Sequence, residues 1–246
     1  MSWSALEAEL EHWTQPPTLW WRDDDVRAHT PALDRLIAQS ARVRAPLHLG
    51  VIPDKLSASL APRLATAPHV WLMQHGRKHQ NHEPVGAGAS EIGEGRPLEA
   101  QRQDLLQGWR VLTKAGLPRL LPILAPPWNR IGAATARALP SLGYRLLSTH
   151  GPRSGQEQIQ GLLRVNVHFD PIRWKSGPQF RGVHGTLKSL IAHLEYRRRL
   201  DCAEPTGFVT HHLQTDEETW AFQDMLLDFL AGRVQWLRLV DLLKEP

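Results

Sequence analysis

The chain has 246 residues, 41% hydrophobic and 22% charged, so it has enough apolar residues for a sizeable core and is not a disordered chain. Its 29 Lys and Arg exceed its 25 Asp and Glu by only four charges, which argues against a strongly basic nucleic-acid-binding surface. A single cysteine excludes an internal disulfide and a cysteine-based zinc site, and no apolar run approaches the roughly 18 residues of a membrane helix.

The first predicted element is an amphipathic helix, because the N-terminal segment carries Glu7, Glu9 and Glu11 and lacks the basic residues of a signal peptide. We expect residues 1–246 to form a single cytoplasmic domain with no nucleic-acid or membrane partner. The sequence leaves the oligomeric state open.

Short apolar runs follow along the chain and are typical of strands that are buried on both faces. They lie at residues 18–22, 46–52, 69–74, 120–125, 144–149, 162–168 and 207–211, with an eighth candidate at 234–239. Helical patterns separate them at 97–116, 186–200 and 216–230, and another helix begins at Thr30, with Pro31 in its first turn. This alternation predicts a closed or nearly closed β/α barrel, with a doubly wound open sheet as the alternative.

Polar side chains follow five of these strands, at the ends where a barrel carries its functional residues. The groups are Asp23–Asp25, His75–His82, Pro126–Asn129, Asp170–Trp174 and His211–His212. Three adjacent carboxylates repel one another unless a cation compensates them, although an exposed, solvated loop is the simpler explanation for the aspartates alone. Their convergence with the other four groups favours a functional site.

The spacing of His75 and His79 suits two imidazole ligands of one metal ion. Together with one aspartate they would fill three zinc positions and leave the fourth open, as in catalytic zinc sites. His211 and His212 follow an apolar strand, and either one is a candidate general acid.

The five groups, in this order, resemble the motifs of the polysaccharide deacetylases of the NodB-homology type, the family 4 carbohydrate esterases. The resemblance covers about residues 19–212 and implies a distorted (β/α)7 barrel. It implies Asp24 as the catalytic base and His211 as the acid, with Asp25, His75 and His79 holding Zn²⁺ or another divalent metal such as Co²⁺ or Ni²⁺. The register within the aspartate run and the choice between His211 and His212 stay open.

Two motifs depart from this family pattern. Ala125 precedes Pro126–Trp128 where the family has an arginine, and Arg173 stands where the family has a second aspartate. We hypothesise that Arg173 supplies the missing charge and orients Asp24, with Arg22 or Arg130 as alternatives, since a neighbouring guanidinium favours an ionised carboxylate.

Four further residues are expected to bind the substrate: Trp128, Asn129, Trp174 and His212. The resemblance implies a metal-dependent N-deacetylase that acts on an N-acetylated carbohydrate or a related small N-acyl compound. The alternatives are an inactive carbohydrate-binding relative and another metal-dependent hydrolase of C–N or phosphate bonds. The segments 85–95 and 174–185 are interpreted as mobile lids or as irregular surface loops.

Overall fold

The structure is a computed structural model that describes residues 1–153 and 156–244. Its elements in chain order are α1 Trp3–Glu11, β1 Thr18–Val26, α2 Pro31–Arg42, β2 Leu47–Val51, α3 Leu60–Ala65, β3 Val70–Gln74, α4 Leu98–Lys114, β4 Leu120–Leu124, α5 Ala133–Ala138, β5 Leu146–Leu147, β6 Leu163–Arg164, β7 Ile172–Arg173, β8 Gln179–Phe180, α6 Val183–Arg199, β9 Thr206–Thr210, α7 Glu217–Leu230, β10 Gln235–Trp236 and α8 Leu239–Leu242. Within the described residues, every helix is too short or too polar to span a lipid bilayer.

The main sheet is parallel and curls on itself. Its order is β10-β1-β2-β3-β4-β5-β6, and β9 pairs with β1. The segment after β6 reaches β9 through a parallel bridge between Phe169 and Phe208, and the Val209 N–H donates to the Phe169 carbonyl over 3.0 Å. Seven strands, β1 to β6 and β9, thereby form a distorted (β/α)7 barrel, and the open-sheet alternative is wrong.

Side-chain alternation along β1 separates the two apolar layers. Leu19 and Trp21 pack into the layer beneath the helices, whereas Trp20 packs into a second cluster with Val209 of β9. The same alternation along β2 sends Leu47, Leu49 and Val51 to the helix layer. The intervening positions therefore face the barrel interior, and this is where polar side chains gather near the ends of the strands.

The helix starts follow the sequence signals. The Thr30 side chain accepts the Leu33 N–H over 3.1 Å at the start of α2, and Pro31 occupies the first turn. The side chain of Asp216 accepts the Thr219 N–H over 2.8 Å at the start of α7. These caps satisfy backbone donors that have no partner inside the helix.

Three differences from the predicted elements bear on the site. The aspartates do not follow the first strand; they lie within β1, at a register shift between Asp23 and Val26. The fifth strand has two residues; the Ser148 N–H still donates to Leu124 of β4, and the Thr149 N–H then donates to the Asn166 side chain. The segment after Asp170 forms the antiparallel β7–β8 hairpin. Its strands have two residues each, which is too short for an alternation of apolar and polar residues to show in the sequence.

Candidate active site

The register of β1 directs its polar residues to different sides of the barrel. Arg22 and Asp24 follow Trp20 into the interior, while Asp23 lies on the opposite face with Trp21. Asp25 adopts a left-handed backbone conformation with φ of 72°, which is uncommon for a residue other than glycine. This conformation, at the irregular end of the strand, lets two adjacent aspartates reach one site.

The Asp24 carboxylate is buried against a guanidinium from its own strand. Its Oδ2 lies 2.9 Å from Nη2 of Arg22, and both side chains are almost fully excluded from solvent. Arg22 also donates to the Ser148 hydroxyl over 2.8 Å and to Oδ1 of Asn129 over 2.5 Å. The guanidinium is held on three sides, and Asp24 therefore has a fixed orientation.

Asp25, His75 and His79 form a three-ligand group. The Oδ1 atom of Asp25 lies 3.4 Å from Nε2 of His75 and 3.2 Å from Nε2 of His79. This oxygen is buried and has no hydrogen-bond partner among the described residues. Two imidazole nitrogens and one carboxylate oxygen are a donor set that zinc, cobalt and nickel accept, so these residues fit a divalent transition metal.

The ring of His75 is already in the tautomer that a metal needs. Its Nδ1 lies 2.8 Å from the carbonyl oxygen of Ala125, which can only accept a hydrogen bond, so Nδ1 carries the proton. The lone pair of Nε2 then faces Asp25 and His79. A backbone carbonyl on the far nitrogen is a common way to orient a histidine ligand.

Glu91 orders the loop between the two histidines. Its carboxylate accepts the backbone N–H groups of Arg77, Lys78 and His79 at 3.0, 2.7 and 3.3 Å. His79 needs this support because its φ is 58°, in the left-handed region. Gly76 also has a positive φ, and a Cβ there would collide with Glu91, so no side chain fits this position.

Charges within the group shift its pKa values. Burial raises the pKa of Asp25, but its interaction with the nearby His75 ring, with further charge from His211 and His79, holds it well below its usual range. Burial opposes a charged His75, yet Asp24 and Asp25 raise the pKa of that ring. Burial lowers the pKa of His79, which keeps this ligand neutral.

His211 lies on the other side of Asp24, at 4.0 Å between its Nε2 and Oδ2 of Asp24. Its Nδ1 lies 3.6 Å from Oδ2 of Asp170. Asp170 is fixed by the Ile172 N–H at 2.7 Å and by Nε1 of Trp174 at 2.9 Å. Burial raises the pKa of Asp170, although the charge of His211 and the hydrogen bond from Trp174 act in the opposite direction.

A cavity of about 340 Å³ joins these groups. Its wall includes Trp128, whose ring lies 4.2 Å from that of His79, and Trp174, whose ring meets that of His211 edge-on at 4.6 Å. Both indoles are partly exposed, at 37% and 45%. The cavity contains all of the predicted site residues except two: Arg173 and His212.

These two residues correct the sequence prediction. Arg173 is exposed on the β7–β8 hairpin and donates to Oε1 of Gln179 over 2.6 Å, away from Asp24. Arg22, one of the alternatives, occupies the position assigned to it. His212 is buried against Asp23, with Nδ1 2.6 Å from its Oδ1, so His211 is the histidine that faces the cavity.

Sequence reasoning missed Glu91, Asp170 and Gly50 as site residues. Asp170 had been noted after a strand, but its contact with His211 depends on the barrel closing. A Cβ at Gly50 would lie 2.6 Å from Oδ1 of Asp24, so this interior position of β2 leaves room for the carboxylate. Side chains alternate between the two faces of a strand, and this alternation along β2 is the one sequence signal that places Gly50 in the barrel interior.

A second group of two histidines and a carboxylate lies between α6 and the strands, at His168, His193 and Glu204. All three side chains are buried. Nδ1 of His168 accepts the Gly207 N–H over 2.9 Å, so the neutral ring carries its proton on Nε2, which lies 3.4 Å from Oε1 of Glu204. A nitrogen that holds a proton offers no lone pair to a metal, so this group does not fit one.

No known family profile and no curated protein matches this sequence. Solved structures do match over nearly the whole chain. A protein from Mycobacterium smegmatis, provisionally assigned as a polysaccharide deacetylase, has a TM-score of 0.62 at 16% identity, covering 94% of this chain and 90% of its own. A family 4 carbohydrate esterase from Streptomyces lividans, in complex with acetate, has a TM-score of 0.54 at 13% identity over 88% and 89%.

The Puue allantoinase has a TM-score of 0.61 at 13% identity, covering 94% of this chain and 90% of its own. At these identities the likeness concerns the fold. The chain has the fold of the polysaccharide deacetylases and family 4 carbohydrate esterases, as its motifs implied.

Proposed function

We propose that this protein is a metal-dependent amide hydrolase that removes the acetyl group from an N-acetylated carbohydrate or a related small N-acyl compound. One observation carries the proposal: three kinds of group border the same cavity. They are the Asp25–His75–His79 group, Asp24 with its partner Arg22, and His211 on the far side of Asp24 from His75. The structural neighbours named as deacetylases and esterases support the same class of reaction.

Asp25, His75 and His79 would hold the metal, with zinc as the expected ion and cobalt or nickel as substitutes. The unpartnered Oδ1 of Asp25 and the Nε2 lone pair of His75 are the atoms that fit it. When bound, the ion supplies a Lewis acid that polarises the acyl carbonyl.

Asp24 acts as the general base. Its Oδ1 is buried and has no hydrogen-bond partner among the described residues, while Oδ2 is occupied by Arg22. Oδ1 therefore accepts a proton from the water that attacks the acyl carbon. Arg22 favours the ionised carboxylate that this step needs, and fixes the direction of the free oxygen.

His211 acts as the general acid. It lies on the opposite side of Asp24 from His75, and donates a proton to the amine nitrogen as the C–N bond breaks. Asp170, next to its Nδ1, orients the ring. The oxygen of water forms a bond to the acyl carbon, the C–N bond breaks, and the products are the free amine and acetate.

Trp128, Trp174 and Asn129 line the cavity and are proposed to contact the substrate. Asn129 has a second task, because its Oδ1 also accepts from Arg22. Partly exposed indoles offer an apolar face to the acyl methyl group or to a sugar ring.

The test is acetate release by zinc-loaded protein from N-acetylglucosamine, its oligomers and N-acetyl amino acids, with ring opening of allantoin as a separate measurement. We expect zinc-dependent release from at least one N-acetyl compound and none with His79→Ala. The assay is repeated with zinc, cobalt and nickel in turn. If the compounds bind but are not hydrolysed with any of these ions, the inactive carbohydrate-binding relative is favoured instead.

A further inference from the structure

Two guanidiniums border the cavity outside the residues that hold the metal and move protons. Arg130 follows the turn that carries Trp128, and Arg181 follows the hairpin segment that carries Trp174. Each side of the cavity therefore presents one indole and one guanidinium.

Both guanidiniums retain unused donors. Among the described residues, Arg130 donates one hydrogen bond, to the Ala89 carbonyl over 3.3 Å, and Arg181 donates one, to the Ile172 carbonyl over 3.4 Å. Neither pairs with a carboxylate within 4.0 Å there, although a guanidinium has five N–H donors. Both side chains are exposed and open to a ligand.

Arg130 lies beside a glycine at the border of the cavity. Its guanidinium lies against Gly88, where a Cβ would collide with it, so the glycine leaves room for the arginine. Arg130 also borders a neighbouring cavity of about 540 Å³. The carboxylates of that cavity, Glu83, Glu94 and Glu157, bond to other partners.

The carboxylates of the metal cavity have partners other than these guanidiniums. Arg22 pairs with Asp24, and a divalent ion would neutralise Asp25. Asp170 accepts hydrogen bonds from the Ile172 N–H and from Nε1 of Trp174, and its carboxylate lies more than 4.0 Å from both guanidiniums. Burial lowers the pKa of the neighbouring His150 to about 4, so His150 is neutral near pH 7 and the excess positive charge belongs to the two arginines.

We infer that the substrate carries an anionic group, a carboxylate or a phosphate, which Arg130 and Arg181 bind while the N-acyl group lies at the metal. This inference rests on the proposed function and narrows it to acidic N-acyl compounds. Arginine suits this task because its planar fork matches both carboxylate and phosphate.

The test measures binding by titration calorimetry of zinc-loaded protein with methanesulfonamide analogues, in which a sulfonyl group replaces the acetyl carbonyl so that no hydrolysis occurs. One pair compares the analogue of N-acetylalanine with that of N-acetylalaninamide and changes only a carboxylate. The other compares the analogue of N-acetylglucosamine 6-phosphate with that of N-acetylglucosamine and changes only a phosphate.

We expect the anionic member of at least one pair to bind about tenfold more tightly than the neutral member. Preference in the first pair alone identifies a carboxylate, and in the second alone a phosphate. Arg130→Gln/Arg181→Gln should abolish the preference and leave the neutral Kd within about twofold. Arg110→Gln/Arg199→Gln, an exposed change of equal charge on α4 and α6, should preserve the preference. The preference should also weaken as salt rises from about 0.05 M to about 0.5 M.

Three outcomes would overturn the inference. They are equal binding of both members of both pairs, no binding of any anionic analogue, and a preference for the anion that survives in the double variant. Hydrolysis of the neutral N-acetyl compounds is measured separately. Hydrolysis without a charge preference overturns only this inference, whereas a charge preference without any hydrolysis overturns the proposed reaction.

Discussion

Two groups in this molecule have the same composition, two histidines and one carboxylate, and both bring their ligand atoms within 4.8 Å of one another. In the cavity, His75 donates from Nδ1 to a backbone carbonyl and offers the lone pair of Nε2. Beneath α6, His168 accepts a backbone N–H at Nδ1 and has its proton on Nε2. The two groups have the same residue types, so the hydrogen-bond partner of the histidine Nδ1 decides which group can hold a metal.

The carboxylates differ in what surrounds the free oxygen. Oδ1 of Asp25 is unpartnered and borders a cavity. Oε1 of Glu204 also lacks a hydrogen-bond partner among the described residues, but it is fully buried, 3.4 Å from Nε2 of His168 and 3.5 Å from Nε of Arg153, while Oε2 accepts the Arg153 N–H over 3.0 Å. We propose that the first group receives a metal ion and that the second stabilises the fold. The predictions below separate these two roles.

Asp24→Asn should have the largest effect on turnover, and it should also lower stability because the buried Arg22 loses its charged partner. The amide cannot accept the proton of the attacking water, so kcat should fall about 10³-fold. The three metal-binding side chains are untouched, so zinc content should stay at the parent level. The measurement is acetate release with elemental analysis of the same sample; near-parental turnover would remove Asp24 from the mechanism.

Glu204→Gln should act on stability alone. It removes the negative charge that faces the His168 proton and the partly exposed Arg153 guanidinium, which should cost about 1 kcal/mol of the free energy of unfolding. Urea denaturation measures this loss. Zinc content and the turnover of the folded protein should match the parent, and a loss of zinc would contradict the structural role.

Arg22→Met should slow turnover about 10- to 100-fold, because Asp24 loses the charge that favours and directs its ionised carboxylate. Zinc content should match the parent, which separates a loss of turnover from a loss of the folded site. Arg173→Met is the matched control from the hairpin. Parental turnover in Arg22→Met, or equally slowed turnover in Arg173→Met, would reverse the correction made from the structure.

His193→Gln should have the smallest effect, on the pH dependence of stability. Burial, with the charges of His168, Arg197 and His150, lowers the pKa of His193 to about 2, below its value of about 6.5 in the unfolded chain. The unfolded chain therefore binds one more proton between pH 6.5 and 4, and stability falls as the pH falls. The variant should flatten this slope by about 1.4 kcal/mol per pH unit in urea titrations, and an unchanged slope would show that His193 takes up its proton in the fold.

The sequence was sufficient to bring together the residues of the proposed chemistry. Asp24, Asp25, His75, His79 and His211 all border one cavity, because the carboxyl ends of parallel strands in a barrel meet on one face. Local patterns and motif order are enough for such a prediction, since each residue's position depends on its own strand.

The residues that support this chemistry were harder to predict. Arg22 and Arg173 are both arginines near an aspartate in the sequence, and only the side-chain alternation of the folded β1 shows which one reaches Asp24. Glu91 contacts the loop before His79 from a segment without regular structure. Interactions between distant segments leave no periodic signal, so they appear only when the barrel is assembled.

The most direct test of the whole account is the metal content of purified protein after incubation with zinc, measured by elemental analysis in the parent, His79→Ala and His193→Gln. We predict about one zinc ion per chain in the parent and in His193→Gln, and almost none in His79→Ala. If His79→Ala keeps its zinc and His193→Gln loses it, the metal lies in the group of His168, His193 and Glu204. Absence of zinc from the parent would contradict the proposed hydrolase.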